Sequence, residues 1–302
     1  MSSGAPAVTA AGRFVLARAP NHLGDGVMAL PAMHALAARA GRLLIQAPGW
    51  GPALYRDVAA EISPRGPAPA GVDVAVLFPP SFRAAWAARR AKRRVGTPTD
   101  GRWPLLTDRV AERVHRASTY AALVEAVGAV AAGPPRFPAW ASDPEADVPE
   151  GHIGLNPISP SGETVTWRGY AELAAALGRP VVFYAGPGEG DALAAVAGDH
   201  ERRVGLPLPA FAAALRRCPV FVSNDSGAAH FARACGTPTV VVHGSTTARR
   251  TGAAGALAVE GPNLPCRPCY RKTCPFPAIP CLDVPVAAVL AAIVAAEAAC
   301  AG

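Results

Sequence analysis

Two short segments place polar side chains and glycines where an apolar run meets a predicted helix. The first is NHLGDG, residues 21–26, which follows RFVLARAP, a predicted buried strand. A carboxylate at this place could accept a proton from a substrate hydroxyl, so Asp25 is a candidate general base. It could also cap the helix that follows, and the spacing alone favours the cap.

The second segment is SNDSGAAH, residues 223–230, at the end of the predicted strand PVFVSN. Backbone N–H groups at a helix N-terminus suit a diphosphate, and Gly227 lets such a ligand approach closely. Asp225 and His230 flank this position. A capped helix with a partly buried histidine is the alternative interpretation, because Asp-Ser-Gly alone is a weak signal.

The elements that must position these segments alternate between strands and helices along the chain. Apolar runs near residues 13–20 and 72–78 predict strands, a helix is predicted to end at Gly41, and a basic helix is predicted over 81–94. The alternation begins again at His152. It predicts an α/β fold with parallel sheets, in which ligands bind at the carboxyl ends of the strands.

The chain is long enough for two domains. It has 302 residues, and residues 133–151 hold five prolines with little periodicity, which is typical of a linker. We therefore predict an N-terminal domain over 1–140, a Pro-rich linker over 141–151, and a C-terminal domain over 152–302. The C-terminal domain is expected to carry a Cys-rich insert, residues 266–281, and a terminal helix.

The charge balance favours an anionic partner. The net charge is +7 and the isoelectric point is near 9.3, which suits a nucleotide sugar, an anionic lipid or a nucleic acid. The first twelve residues lack the features of a secretory signal, and the Ala-rich run 284–300 is too short for a membrane span. We expect a cytoplasmic protein.

The predicted basic helix concentrates six cations. They fit either a surface that meets phosphorylated, lipid-linked sugars or an ordinary solvated helix face. These residues are Arg83, Arg89, Arg90, Lys92, Arg93 and Arg94.

Four of the seven cysteines are clustered, namely Cys266, Cys269, Cys274 and Cys281. Thiolates at short spacing can hold a structural Zn²⁺ ion or an iron–sulfur centre, but this spacing is not that of a zinc ribbon. Two disulfides or reduced thiols are alternatives. Cys218, Cys235 and Cys300 lie in apolar contexts and are expected to be buried.

Four segments, in this order, resemble the heptosyltransferase family, glycosyltransferase family 9. APNHLGDGVMALPAMHAL is similar to its N-terminal signature, and SNDSGAAHFARACGTPTVVVHGST to its nucleotide-sugar signature. RRVGTPTDGRWPLLTDRV resembles a mid-domain segment of the second-heptose enzymes, and CRPCYRKTCPFPAIPCL resembles the Cys-rich insert of many members. The resemblance extends from about Phe14 to Leu290.

The resemblance implies a GT-B fold, with two Rossmann-like domains facing across a cleft. It implies inverting, metal-independent transfer of a heptose or related sugar from an ADP-sugar to a hydroxyl of an anionic saccharide or glycolipid acceptor. The implied setting is lipopolysaccharide core synthesis in the cytoplasm, with peripheral contact at the inner membrane. No cofactor and no nucleic acid are implied.

The resemblance also assigns roles to individual residues. Asp25 matches the family's candidate catalytic base, and the loop residues beside it, Asn21, His22 and Gly24, fall on the acceptor side. Ser161 and Glu189 match positions that contact donor phosphate and nucleoside, with ordinary loop solvation as the alternative for both. The remaining donor-binding assignments are Asp225, Ser226, Gly227 and His230.

One position departs from the family pattern. Members usually carry a lysine that pairs with the donor phosphate, two residues before the tryptophan at which the first donor-domain helix begins, and here that residue is Val165. A diphosphate leaving group needs positive charge or N–H donors. Arg168 could supply that charge, as could Arg249 or Arg250. Without such a replacement, an unusual donor or a weakly active or inactive homologue is implied.

Two other functions are compatible with the sequence. The same fold could glycosylate a different acceptor, such as a small natural product. A function of another class is a basic, metal-binding nucleic-acid module built from the Arg-rich helix and the Cys cluster. Against the latter, the sequence shows no helix-turn-helix or zinc-finger pattern, and aromatic residues make up only 6%.

Overall fold

The computed structural model describes residues 9–137 and 148–301, which fall into two compact units divided between Pro135 and Arg136. Most of the predicted linker over 141–151 lies outside these residues, as does the side chain of Cys300. Each unit contains one six-stranded sheet in which all neighbouring strands are parallel. The α/β prediction is therefore confirmed.

The first unit has the strand order β3-β2-β1-β4-β5-β6. Its strands are β1 (Phe14–Arg18), β2 (Arg42–Ala47), β3 (Glu61–Pro64), β4 (Val74–Leu77), β5 (Arg93–Gly96) and β6 (Asp108–Arg109). Its helices are α1 (Leu23–Met28), α2 (Leu30–Ala37), α3 (Gly51–Leu54), α4 (Phe82–Ala87) and α5 (Arg116–Glu125). The central strands are nearly continuous apolar runs because both faces of a parallel sheet are covered. Leu16 pairs with Leu44 on one side and Ala75 on the other.

The second unit has the strand order β12-β11-β10-β7-β8-β9. Its strands are β7 (Ile153–Asn156), β8 (Val181–Ala185), β9 (Glu201–Val204), β10 (Phe221–Asn224), β11 (Thr239–His243) and β12 (Leu257–Glu260). Its helices are α6 (Tyr170–Leu177), α7 (Gly190–Ala197), α8 (Leu208–Arg216), α9 (Gly227–Ala234), α10 (Ala248–Thr251) and α11 (Val286–Ala301). Val222 pairs with Val240 on one side and Leu155 on the other.

Both sheets have the Rossmann strand order, and each has one point at which the order reverses. In the first unit this point lies between β1 and β4, and in the second between β7 and β10. The loops at the carboxyl ends of such strand pairs form the crevice in which open α/β sheets bind ligands. Asp25 follows β1, and Asp225 follows β10. The fold thus places both candidate segments at switch points.

Two helix predictions need correction. The helix predicted to end at Gly41 is split into α1 and α2 and stops at Ala37, with Pro31 in the first turn of α2, where its missing N–H is tolerated. The basic helix over 81–94 is only α4, which ends at Ala87. Arg93 and Arg94 instead lie on β5, where Arg93 pairs with Asp108 at 2.7 Å.

The C-terminal segment is packed into the second unit. Trp167 donates its indole N–H to the carbonyl of Val284 at 3.0 Å, and α11 buries Val289 and Ile293 in the same core. The predicted terminal helix is confirmed. Within residues 9–137 and 148–301, none of the helices is both long and apolar enough to cross a membrane.

Candidate functional site

Asp25 lies in the first turn of α1, where its carboxylate is held by α5. Arg116 donates Nη1 to both carboxylate oxygens, at 3.1 and 3.0 Å, and Asp25 retains 13% exposure. His22, not Asp25, occupies the N-cap position of α1. The interpretation of Asp25 as the helix cap is therefore wrong, and its carboxylate is a partly accessible group in a charged pair.

Tyr120 completes this group one helical turn after Arg116. Tyr120 is 5% exposed and lies beside Asp25 and Arg116, whose charges act on its hydroxyl. Burial, followed by the charge of Asp25, raises the pKa of Tyr120 well above its ordinary value. Burial lowers the pKa of Arg116, but Asp25 and Tyr120 outweigh this effect and raise it. Tyr120 is therefore a neutral hydroxyl beside the ion pair of Arg116 and Asp25.

The loop before α1 is fixed by an arginine that follows β3. Arg65 donates to the side chain of Asn21 at 2.6 Å and to the carbonyl of Ala19 at 2.9 Å. His22 is exposed, and Gly24 is buried. The three predicted acceptor-side residues therefore all lie at the carboxyl end of β1, beside Asp25.

Positive charge is concentrated at the same edge of the first sheet. Arg18 is 8% exposed and donates to Gln46 at 3.0 Å and to the carbonyl of Gly66 at 2.8 Å. Burial, and then the nearby charges of Arg65 and Arg83, lower the pKa of Arg18. Clustered guanidinium groups with carbonyl and amide partners form a site suited to an anion.

A network of buried polar groups joins the strand ends at the second switch point. Asn224 donates to the carbonyl of Pro157 at 2.7 Å and accepts from the backbone N–H of Trp167 at 3.0 Å. Asn156, at the end of β7, donates to the carbonyl of Tyr184 at 2.7 Å. These amides fix the loops that follow β7 and β10 relative to each other.

The N-terminus of α9 begins directly after this network. Ser226 occupies the N-cap position, and its hydroxyl lies 3.0 Å from Ser223 and 3.4 Å from Asn156. Within the part of the chain that the structure describes, its side chain makes no capping hydrogen bond to the helix. The interpretation as a side-chain-capped helix is therefore contradicted. Gly227 is the first residue of α9, and His230 is 6% exposed.

Asp225 connects α9 to the neighbouring strand β11. Its carboxylate accepts from the hydroxyl of Thr251 at 2.7 Å, and Nδ1 of His243 lies 3.7 Å away. His243 is fully buried, and burial lowers its pKa against the opposing effects of Asp225 and Glu260. The neutral imidazole therefore lies beside an anionic carboxylate.

The structure separates the other predicted donor residues. Ser161 is exposed on the loop after β7, whereas the carboxylate of Glu189 turns back to accept from the N–H of Gly186 at 2.7 Å. Arg168 lines a cavity of ≈ 830 Å³ together with Glu172 and residues 278–280 and 282–287. None of residues 156–161 or 223–227 lines that cavity, so Arg168 borders a different space from the switch point.

For the Cys-rich insert, a structural metal, two disulfides and reduced thiols are the three alternatives. Among the residues that the structure describes, no three His, Cys, Asp or Glu side chains are arranged to hold a metal ion. Cys266 is exposed, whereas Cys281 is buried, and its burial, with Cys274 and Cys269 nearby, raises the pKa of the Cys281 thiol. The cysteines with described side chains are free, so the disulfide alternative is wrong.

Sequence patterns missed several residues that the structure brings to the two sites. Arg116 and Tyr120 have the i, i+4 spacing that places two polar groups on one helix face, a usable signal. His243 ends a buried apolar strand, as Asn224 does, and could have been singled out in the same way. Arg18 and Arg65 carried no local signal, because their partners lie far away in sequence.

Comparisons with known proteins agree on one family. The family model described as glycosyltransferase family 9 (heptosyltransferase) matches residues 70–279. Lipopolysaccharide heptosyltransferase 1 from Pseudomonas aeruginosa is 38% identical over 72 residues, which span 24% of this chain and 20% of that protein.

Solved structures show the same fold. E. coli ADP-heptose lipopolysaccharide heptosyltransferase II matches with a TM-score of 0.73 and 20% identity, covering 95% of this chain and 99% of that chain. The dodecameric iron-containing heptosyltransferase TibC of enterotoxigenic E. coli, in complex with ADP-D-β-D-heptose, matches with a TM-score of 0.66 and 17% identity. That match covers 96% of this chain and 78% of the other. The two sheets thus have the GT-B fold.

Proposed function

The chain belongs to glycosyltransferase family 9, the heptosyltransferase family, and we propose that it transfers a heptose or a related sugar from an ADP-sugar to a hydroxyl of an anionic saccharide acceptor. The observation that carries this proposal is the N-terminus of α9. It lies at the switch point of the second sheet, and the hydroxyl of its N-cap residue Ser226 is directed to Ser223 and Asn156.

The donor diphosphate is proposed to bind at this helix end. The first N–H groups of α9 point along the helix axis, and the helix dipole adds partial positive charge. Gly227 leaves room for a phosphate oxygen, and Ser161 lies on the adjacent loop. Asp225, His230 and Glu189 are proposed to bind the nucleoside diphosphate. The TibC structure in complex with ADP-D-β-D-heptose and the structure of E. coli heptosyltransferase WaaC with ADP support the choice of nucleotide.

Asp25 is proposed to act as the general base. The acceptor oxygen attacks the anomeric carbon while the bond from that carbon to the β-phosphate oxygen breaks. Asp25 takes the hydroxyl proton, and ADP leaves with the bonding electron pair. One displacement inverts the anomeric configuration, and N–H groups with cationic side chains stabilise the leaving group, so we propose a metal-independent reaction.

The acceptor is proposed to carry a phosphate or carboxylate group. Arg18, Arg65 and Arg83 lie near one another at the edge of the first sheet where Asp25 is placed. A small neutral acceptor, such as a natural product, would leave this charge unmatched. For the proposed anionic acceptor, Asn21 lines the acceptor side, and its side chain accepts a hydrogen bond from Arg65.

We propose that the surface of α4 contacts the inner membrane. The proposed setting is lipopolysaccharide core synthesis at the cytoplasmic face of that membrane. Phe82 and Trp86 are 45% and 51% exposed and stack on each other with ring centroids 6.3 Å apart. The guanidinium of Arg89 lies 4.7 Å from the Trp86 ring. Aromatic rings beside cations suit an anionic lipid surface, where a lipid-linked acceptor is found.

Titration calorimetry with ADP, UDP and GDP, followed by transfer assays with ADP-heptose, tests the proposal. We expect selective ADP binding and transfer to a phosphorylated or acidic saccharide. Transfer to neutral small molecules alone would replace the proposed acceptor class. Failure to bind any nucleotide would contradict the proposed activity as a whole.

A further inference from the structure

Position 165, on the loop after β7, lacks the cation that the family resemblance leads us to expect. Val165 stands where the resemblance leads us to expect a lysine, and it is only 3% exposed, at the end of a short 3₁₀ turn over Glu163–Val165. An apolar, buried side chain cannot balance a developing negative charge. Any cationic side chain that balances this charge therefore lies at a position other than 165.

The Cys-rich insert is folded onto this same loop. Thr164 donates its hydroxyl to the carbonyl of Arg271, and Glu163 accepts from the backbone N–H of Cys274 at 3.0 Å. At Gly162, an added Cβ would lie 2.9 Å from Cα and 3.0 Å from Cβ of Lys272. Residues 271–274 are therefore in direct contact with the turn that contains Val165.

A second set of contacts fixes the insert to the loop after β11. The backbone N–H groups of Cys269 and Tyr270 both donate to the carbonyl of Ser245 at 3.1 Å. The hydroxyl of Ser245 in turn donates to Thr164 at 3.0 Å. The strands β7 and β11 flank β10, so the insert is held over the edge of the sheet where α9 begins.

Two of the arginines considered from sequence contact other parts of the second unit. Arg168 borders the cavity shared with Glu172 and Asp283. The guanidinium of Arg250 lies over the ring of Tyr270, 4.9 Å from its centroid. Lys272, in contrast, is exposed, and its Cβ lies against Gly162, next to Ser161. A lysine has a flexible four-carbon stem that ends in a point charge.

We propose that Lys272 supplies the positive charge that faces the donor diphosphate, in place of the lysine missing at position 165. The inference rests on the proposed function, because it assumes that a nucleoside diphosphate binds at α9. It accounts for binding of the donor diphosphate although residue 165 is a valine and not a lysine. It also gives the Cys-rich insert a role in donor binding that does not involve a metal.

Calorimetry with ADP and AMP, together with steady-state kinetics, tests the proposal. In the Lys272→Ala variant we expect ADP affinity to fall about tenfold, the affinity for AMP to fall less, and kcat to fall as well. Arg202→Ala is the matched control, since it removes an exposed cation from the edge strand β9 of the same sheet. We expect it to bind ADP like the unmodified protein.

Rescue separates a charge effect from a structural one. Val165→Lys introduced into Lys272→Ala should restore ADP affinity, with a thermal melt to check that the double variant is folded. Wild-type ADP affinity in Lys272→Ala, or a loss in Arg249→Ala instead, would overturn the inference while leaving the proposed function intact. Absence of ADP binding by the unmodified protein would overturn the proposed function, and the inference with it.

Discussion

Arg116 and Asp25 are 91 residues apart in the chain, yet Nη1 of the arginine donates to both carboxylate oxygens of the aspartate, at 3.1 and 3.0 Å. Each carboxylate oxygen has two lone pairs, so this contact leaves acceptor capacity for a substrate hydroxyl. The ion pair also orients the carboxylate. A base at this position needs both a free acceptor lone pair and a fixed orientation.

Replacing Asp25 by asparagine should abolish catalysis without affecting donor binding. The variant keeps the size of the side chain but cannot accept a proton, so we expect kcat to fall by about 10²–10⁴-fold. ADP affinity, measured by calorimetry, should stay unchanged because the proposed donor residues belong to the second unit. Turnover close to that of the unmodified protein would remove Asp25 from the mechanism.

Replacing Arg116 by glutamine should reduce both stability and rate. We expect a loss of about 1 kcal/mol in the free energy of unfolding, because the Asp25 carboxylate loses a charge-assisted partner at a partly exposed site. A misplaced base should also lower kcat, by about tenfold. Denaturant unfolding of the single variants and of Asp25→Asn/Arg116→Gln measures the coupling. Strictly additive losses would show that the pair does not act as a unit.

The sequence predicted the parallel strands and the two polar loops because these depend on local patterns. Continuous apolar runs specify buried parallel strands, and polar residues at their ends mark the sites. Asp25 and residues 223–230 were found in this way. The partners of Asp25 were not, because Arg116 reaches it only through the packing of α5.

The failed predictions have physical causes as well. Arg93 and Arg94 continue a basic run, but on β5 Arg93 bonds to Asp108 and Arg94 donates to the carbonyl of Leu105, which helical periodicity does not reveal. The spacing of the cysteines left two disulfides open, yet the cysteines with described side chains are free, with Cys281 buried and Cys266 exposed. Burial is a property of tertiary structure and cannot be read from spacing.

Removing the carboxylate of Asp225 should weaken donor binding. We expect Asp225→Ala to reduce ADP affinity by about tenfold or more, corresponding to at least about 1.4 kcal/mol. Thr251→Val is the matched control, because it removes the hydroxyl that Asp225 accepts at 2.7 Å and leaves the carboxylate in place. An equal loss in both variants would mean that Asp225 only positions α10.

Stability should fall as the pH drops below neutrality. Burial lowers the pKa of His152 and of His243 below the ordinary value of 6.5, so the unfolded chain binds more protons than the folded protein in this range. The stabilising contribution of the neutral imidazoles is complete above pH 6.5 and is lost as the pH falls towards the folded pKa values.

The His152→Gln variant tests this directly. His152 is fully buried, and its Nε2 lies 2.7 Å from the Tyr184 hydroxyl and 3.0 Å from Cys218 Sγ. The free energy of unfolding, measured in urea between pH 7 and pH 5, should depend less on pH in this variant. Its slope against pH should be smaller by up to about 1.4 kcal/mol per pH unit than in the unmodified protein. An unchanged slope would assign the pH dependence to other groups.

Removing the exposed aromatic pair of α4 should weaken binding to anionic membranes. Phe82 and Trp86 are each about half exposed, and inserting both rings into the lipid interface contributes enough apolar burial for about a tenfold effect. Phe82→Ser/Trp86→Ser should therefore sediment less with vesicles of phosphatidylcholine and phosphatidylglycerol. Val130→Ser, at a site that is 74% exposed in the same unit, is the control.

Vesicle binding should also weaken as the salt concentration rises, because salt screens the attraction between the arginines and the anionic lipids. Equal sedimentation of all three proteins would exclude α4 as the membrane contact.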